Sequence, residues 1–271
     1  MLTEITLGQY FPGNSWIHRL DPRTKILATI IYIIAIFFAD TPLSYGILTA
    51  FAALVILISR LPWLMVLKSL KPIWIIVILT MLIHMFTAPG EHIIWTWKFL
   101  SVTQEGLDLG LKMAVRLVLL LLFSSVLTFT TSPIVLTDGI ERLLRPFKAV
   151  GVPAHELAMM MTIALRFIPT LLEETDRIMK AQTARGADFA NGNMLQRVKN
   201  MLPLLVPLFI SAFRRADELA VAMEARCYRG GEGRTRMHEL AYAGRDYTAL
   251  VLVLALAVGL AVMRWGKLCG L

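Results

Sequence analysis

The residues best suited to chemistry in this chain are scattered, and most lack the partner their chemistry needs. His155-Glu156 and His238-Glu239 each begin an HExxH pattern without its second histidine, and there is no GxxxxGK[ST] phosphate-binding loop. Gly230-Gly231-Glu232-Gly233 matches a phosphate cradle only in composition and reads as the turn that returns the chain to its last apolar stretch. Glu173, Glu174 and Asp176 offer neighbouring carboxylates, but on a long polar helix face such groups are solvated charges. His84 and His92 are a pair that a metal could join. Cys227 and Cys269 have no CxxC spacing, so neither a zinc site nor a disulfide framework is indicated. The sequence nominates no catalytic residue, no metal site and no cofactor, and the expectation is that the chain is not an enzyme.

What remains is a pair of cations. Ala184-Arg185-Gly186 and Ala225-Arg226-Cys227 both fall at the expected ends of long helices. A cation there complements the helix dipole, and small neighbours let a guanidinium stand clear of bulky side chains. At this level two readings stay open: ordinary C-terminal caps, or two exposed points that dock on an acidic partner.

The elements that would position these arginines follow from hydrophobic patterning. The chain has 271 residues, 57% of them hydrophobic, and a mean hydropathy of +0.66. That excess needs a lipid solvent for part of the length. A membrane-spanning helix takes about 20 apolar residues. Five stretches qualify or come close: Ile26 to Ala39, which Lys25 lengthens if it snorkels, Leu43 to Ser59, Pro72 to Gly90, Leu117 to Thr131 with a start near Leu107, and Tyr247 to Met263. More than half of the 27 Lys and Arg and most of the 19 Asp and Glu fall between Thr131 and Asp246, which therefore lies outside the hydrocarbon. The net charge of +8 is explained by basic loops beside apolar spans and by anionic membrane lipid, not by nucleic acid.

Within the polar block three helices are expected: a short amphipathic one to Val150, a second from Pro153 to Gly186, roughly 45 Å long at 1.5 Å per residue, and a third from the Asn191-Gly192-Asn193 turn to Arg226. Met201 to Phe213 is uncharged but only 13 residues long, and is expected to be helix buried against the membrane part. A sixth span there is the rival. Arg116, with Lys112, lies in or beside the fourth span, where a charge faces protein or water; a functional contact and an interhelical structural pairing, for example with Asp108, both stay open. No apolar core of signal-peptide length precedes Thr24, and Arg19, Arg23, Lys25, Arg60, Lys68 and Lys71 flank the first three spans on one side. The N-terminus is expected in the cytoplasm and the C-terminus outside, with Lys98 and Lys267 reachable from outside.

Several of these motifs occur in a set order: His18-Arg19-Leu20-Asp21-Pro22-Arg23-Thr24-Lys25, Thr131-Ser132-Pro133, Asp138-Gly139-Ile140-Glu141, Leu165-Arg166-Phe167-Ile168-Pro169, Pro203-Leu204-Leu205-Val206-Pro207, Ala222-Met223-Glu224 and the two Ala-Arg motifs. Together they resemble the transmembrane T component of energy-coupling factor transporters over nearly the whole chain. The resemblance implies an all-α polytopic protein with about five transmembrane helices and a cytoplasmic coupling domain of three helices. It implies a bacterial cytoplasmic-membrane location and a scaffold joining a substrate-binding S component, vitamin-binding in the shared type, to two ABC ATPases. The coupling helices would cross, with Arg185 and Arg226 each docking on one ATPase together with Ala184, Gly186, Ala225 and Cys227. Cys227 departs from the glycine that the family usually has. The expected division is 1–131 membrane domain, 132–246 coupling domain and 247–271 last span. Alternatives are a dedicated cobalt or nickel scaffold, the permease of an ordinary ABC importer, and a membrane-embedded transferase, for which acidic metal-binding clusters at span ends are missing.

Overall fold

The structure is a computed structural model that describes residues 10–87, 92–97, 100–187, 189, 194–230 and 239–268. In chain order its helices are α1 (Pro22–Phe37), α2 (Pro42–Ser59), α3 (Trp63–Leu70), α4 (Trp74–Thr87), α5 (Gln104–Thr130), α6 (Pro133–Leu144), α7 (Ala154–Ala184), α8 (Met194–Ala225) and α9 (Gly244–Leu268). A short antiparallel hairpin, β1 (Ile93–Trp97) and β2 (Leu100–Thr103), links α4 to α5. The fold is all-α apart from that hairpin. It divides into two compact units, one of Gly8–Gly139 with Leu240–Leu271 and one that takes in Ile140–Glu239.

Local chemistry sets the helix starts. Pro22 and Pro42 occupy first turns, where a missing N–H is no loss, and Asp21, Thr41 and Thr103 accept from the backbone N–H groups of Arg23, Ser44 and Gly106. A three-residue 3₁₀ turn, Lys71–Ile73, joins α3 to α4, so Trp63–Thr87 forms a 25-residue stretch of mean hydropathy 2.0. Lys68 and Lys71 lie, as expected, between the second span and the apolar helix α4. Both sit in helical turns, because Pro72 takes an early-turn position that keeps the chain helical.

By length and apolar composition five helical stretches can cross a membrane: Pro42–Ser59, Trp63–Thr87, Gln104–Thr130, Ala154–Ala184 and Gly244–Gly266. Four coincide with expected spans. The fifth, in α7, passes at a mean hydropathy of 1.2, against 2.0 to 2.2 for the others. The first expected span, α1, has 16 residues and falls short of the length taken as spanning. Lys25 does not lengthen it by snorkelling: its ammonium is buried and donates to the carbonyls of His18 and Thr130. The chain is a multi-pass membrane protein.

Packing inside the first unit nonetheless carries α1 alongside a full span. Asp246, at the start of α9, accepts from the Asp21 backbone N–H at the start of α1 (2.8 Å). At the other end Arg264 of α9 pairs with Asp40 (2.9 Å) and donates to the Phe37 carbonyl (3.1 Å). The two helices are therefore parallel. With α7 outside the membrane, a single extra crossing at Met201–Phe213 would start α9 on the face opposite the start of α1, which this parallel pairing disfavours. Asp40 also accounts for Arg264, the basic residue near the chain's end that sits on the side expected to be poor in Lys and Arg. Lys98 and the side chain of Lys267 lie outside the described residues.

The core of this unit is the aromatic stack of Tyr32 on Phe123 (centroids 3.9 Å apart) and Phe51 (5.9 Å), walled by Ile36, Leu48 and Leu119. A tyrosine is tolerated at such a depth because its hydroxyl donates to the Leu48 carbonyl (3.0 Å). α4 and α5 approach closely because α5 carries Gly106 and Gly110: a Cβ at Gly110 would meet the Met81 carbonyl oxygen at 2.9 Å.

In the second unit a 3₁₀ stretch, Arg145–Val150, and Gly151 lead into α7, which pairs with α8 through Arg215 and Glu174 (2.7 Å). Pro169 lies inside α7, and Pro203 and Pro207 inside α8. The expected Asn191-Gly192-Asn193 turn lies outside the described residues. On α8, Met201, Leu202, Leu205, Val206, Phe209, Ile210 and Phe213 are exposed and form an apolar stripe.

Candidate functional site

Arg185 and Arg226 stand at the C-terminal ends of α7 and α8, and both are exposed. The two ends close by the same hydrogen bonds. Gly186 N–H donates to the Thr183 carbonyl (2.9 Å) and Ala187 N–H to the Gln182 carbonyl (3.0 Å); Cys227 N–H donates to Glu224 (2.9 Å) and Tyr228 N–H to Met223 (3.1 Å). This is the Schellman pattern, in which the residue after the cap is left-handed. Gly186 has φ 91° and Cys227 has φ 56°. The cysteine thus adopts the conformation that the glycine takes at the first end, and the helix ends immediately after Arg226. Both arginines stand at the negative end of a helix dipole, where a cation is favoured.

A left-handed residue with a Cβ costs about 1–2 kcal/mol relative to its right-handed state, and glycine has no such penalty. Cys227→Gly is therefore expected to stabilise the α8 end by about 1 kcal/mol. The check is hydrogen exchange at the Cys227 and Tyr228 amides, which should slow about fivefold, while Cys227→Ala leaves them unchanged.

Sequence reasoning missed the brace beside Arg226. His155, in the first turn of α7, lies 3.1 Å from Glu141 of α6 through Nδ1 and 3.4 Å from the Tyr228 hydroxyl through Nε2. Its Glu156 neighbour is not part of a metal pair; the signal that was available is Glu141 in the Asp138-Gly139-Ile140-Glu141 motif. Also missed was the buried cluster at the start of α1. Arg23 grips Asp21 with two bonds (Nε to Oδ1 3.0 Å, Nη2 to Oδ2 2.8 Å), donates to the Leu240 carbonyl (3.1 Å) and lies 3.9 Å over the Tyr242 ring. Asp246 accepts from the Asp21 and Ala243 backbones (2.8 Å each). Just before it, His18 Nε2–H donates to the Phe11 carbonyl (3.0 Å), which leaves Nδ1 to accept from the Ser15 hydroxyl (2.7 Å). Burial holds the His18 pKa below its ordinary value, against the opposing effect of the Phe11 carbonyl, and the nearby Lys25 charge adds to the lowering.

The remaining candidates separate. Arg116 does not pair with Asp108, which Lys112 takes one turn along (2.6 Å). Arg116 instead donates to the Tyr45 hydroxyl (3.1 Å) and faces the Phe37 ring, because α5 turns it toward α1 and α2. Glu174 and Asp176 are bound to Arg215 and Lys180, so they form no carboxylate pair. His84 Nδ1 donates to the Thr80 carbonyl within its own helix (2.8 Å). Among the described residues no group of three His, Cys, Asp or Glu is placed to hold a metal; His238 and Gly231 to Gly233 lie outside them.

A family model described as "Cobalt transport protein" matches residues 13–238. The chain is 70% identical over 266 residues to the "Energy-coupling factor transporter transmembrane protein EcfT" of Acidaminococcus fermentans, covering 98% of this chain and 99% of that one. Proteins of the same name match from Clostridium kluyveri, 55% identical over 270 residues (98% and 100% covered), and from Bacillus subtilis, 48% identical over 264 residues (97% and 100%).

Proposed function

The chain belongs to the EcfT transmembrane proteins of energy-coupling factor transporters, within the family described as cobalt transport protein, and we propose that it is their non-catalytic scaffold, docking two ABC ATPases through Arg185 and Arg226. The observation that carries this reading is the pair of helix ends closed by one hydrogen-bond pattern, each presenting an exposed arginine. Because Schellman closure is common, what supports docking is that both ends leave an arginine exposed. α7 and α8, 31 and 32 residues long, are rods that carry a displacement at the arginine ends along their length. The ATPases close on ATP, the ends move with them, and the motion passes to a substrate-binding S component that takes up a vitamin. The exposed stripe Met201 to Phe213 supplies an apolar contact surface for that component.

The remaining assignments follow from the same reading: residues 132–246 on the cytoplasmic side between the membrane parts 1–131 and 247–271, the N-terminus inside, the chain set in the cytoplasmic membrane, and no nucleic-acid partner. The family's description favours one second reading, a scaffold dedicated to cobalt or nickel. Purification in mild detergent separates these: the chain should bring down two ATPases and an S component, and the ligand of that S component, vitamin or metal, decides between them. The chain purified without partners should show no saturable ATP binding and no hydrolysis. ATP binding by the isolated chain would overturn the assignment.

A further inference from the structure

The first unit contains an apolar crevice of about 110 Å³ among α1, α2, α5 and α9. Its depth runs from Phe51 and Phe123, beside the Tyr32 stack, to Trp16, Leu20 and Thr130 at the end where α1 and α9 start. Polar residues in its wall are already committed. The Lys25 ammonium donates to His18 and Thr130 carbonyls, the Thr29 hydroxyl to the Lys25 carbonyl and the Thr130 hydroxyl to the Val126 carbonyl. Apart from the Trp16 indole N–H at the shallow end, the rest of the lining is aliphatic or aromatic, so what fits is hydrocarbon. A small apolar void also loses dispersion contacts unless something apolar fills it.

Two further observations identify the source of that hydrocarbon. Leu54 and Ile58 of α2 and Leu252 of α9 are lining residues and are exposed, so the crevice opens sideways, in a protein whose surroundings at that depth are lipid tails. At the shallow end Trp16 is exposed, and two exposed cations adjoin the lining: Arg19 beside Leu20, and Arg60 two residues after Ile58. A linear tail below and a negative charge above describe a phospholipid.

We propose that the crevice seats a segment of one acyl chain of an anionic membrane phospholipid, the rest of that chain lying in the surrounding lipid, with the headgroup held at Arg19 and Arg60. The lipid completes the packing at the start of α1, where the Asp21, Arg23 and Asp246 cluster lies. This rests on the chain's place in the membrane and not on ATPase docking, so either can fail alone.

The test uses the full chain in mild detergent with phosphatidylglycerol or phosphatidylcholine. Native mass spectrometry should show one phosphatidylglycerol retained in preference to phosphatidylcholine. Arg19→Gln with Arg60→Gln should reduce that preference about 25-fold, since each exposed cation near an anionic surface contributes on the order of fivefold. Leu252→Trp, which fills the open side, should abolish retention. Because a variant can misfold, the unaltered chain is also photo-crosslinked to phosphatidylglycerol carrying a diazirine in its acyl chain. Adducts should concentrate in 51–58 and 249–253 over the equally exposed α4 residues Ile75, Ile76 and Leu79. Adducts spread evenly over α2, α4 and α9, or equal retention of the two lipids, would mean annular lipid only and overturn the proposal.

Discussion

Arg23→Ala is expected to lower the stability of the membrane unit by about 3–5 kcal/mol, the usual loss when one partner of a buried ion pair is removed. The Asp21 side chain is 2% exposed and that of Arg23 12%. Without the guanidinium, the Asp21 carboxylate stays out of water, held only by the Arg23 backbone N–H. The Leu240 carbonyl and the Tyr242 ring lose their partner as well, so the segment that leads into α9 is released from the start of α1. Three variants separate the causes. Arg23→Lys keeps a charge but not the two-pronged geometry and should recover only part of the loss. Asp21→Asn combined with Arg23→Ala leaves no buried charge and should be less damaging than Arg23→Ala alone, a non-additivity that marks a directly coupled pair. Asp246→Ala should cost about 1.5–4.5 kcal/mol on its own, because it strands the buried Asp21 N–H at about 1–3 kcal/mol and removes the part-buried Ala243 bond at about 0.5–1.5 kcal/mol. Thermal unfolding of the purified chain in detergent measures all of these; a double variant no better than Arg23→Ala would show that the ion pair is not the source of the loss.

What could be read from the residues was local. Pro22, Pro42, Asp21, Thr41 and Thr103 mark helix starts through bonds made within three residues, and the spans of α2, α5 and α9 follow from apolar length. What could not be read depends on which helices face each other. Asp246 looks like one more acid at the edge of a charged block; its burial comes from α1 and α9 running parallel, a pairing across 225 positions. The partner of Arg116, Tyr45, is 71 residues away, whereas Asp108 was a neighbour on the same helix, and the nearer carboxylate went to Lys112. Length and packing also read differently at the margins of the span rule. It omits α1, which packing against α9 carries through the unit, and admits α7, whose second half bears Glu173, Glu174, Asp176, Arg177 and Lys180. At the candidate site, the two Ala-Arg motifs were legible as a pair. The left-handed Cys227 was not, since only the hydrogen bonds around it show that the second end closes as the first does.

Replacing both helix-end arginines should have the largest effect on function. If Arg185 and Arg226 are caps alone, each Ala substitution costs a few tenths to about 1 kcal/mol through the helix dipole, and assembly is unaffected. If each docks on its own ATPase, the loss per site is that of a charge-assisted pair with its partner left buried, about 2–5 kcal/mol. That is a fall in affinity of about 30-fold or more at each site. Glutamate in place of arginine adds repulsion from the acidic groove. The Arg185→Glu, Arg226→Glu double variant should therefore insert and fold, since both positions are exposed and the backbone bonds of the two ends do not involve these side chains, yet copurify with little ATPase. Each single variant retains one docked ATPase and so keeps partial assembly, but loses uptake out of proportion, because one driven helix end cannot supply the relative motion that two supply. Lysine at either position should rescue only in part, because an ammonium cannot bind a carboxylate through two parallel donors. Copurification of tagged ATPases and uptake into vesicles are the two readouts. A double glutamate variant with full ATPase recovery and full uptake would reduce Arg185 and Arg226 to caps.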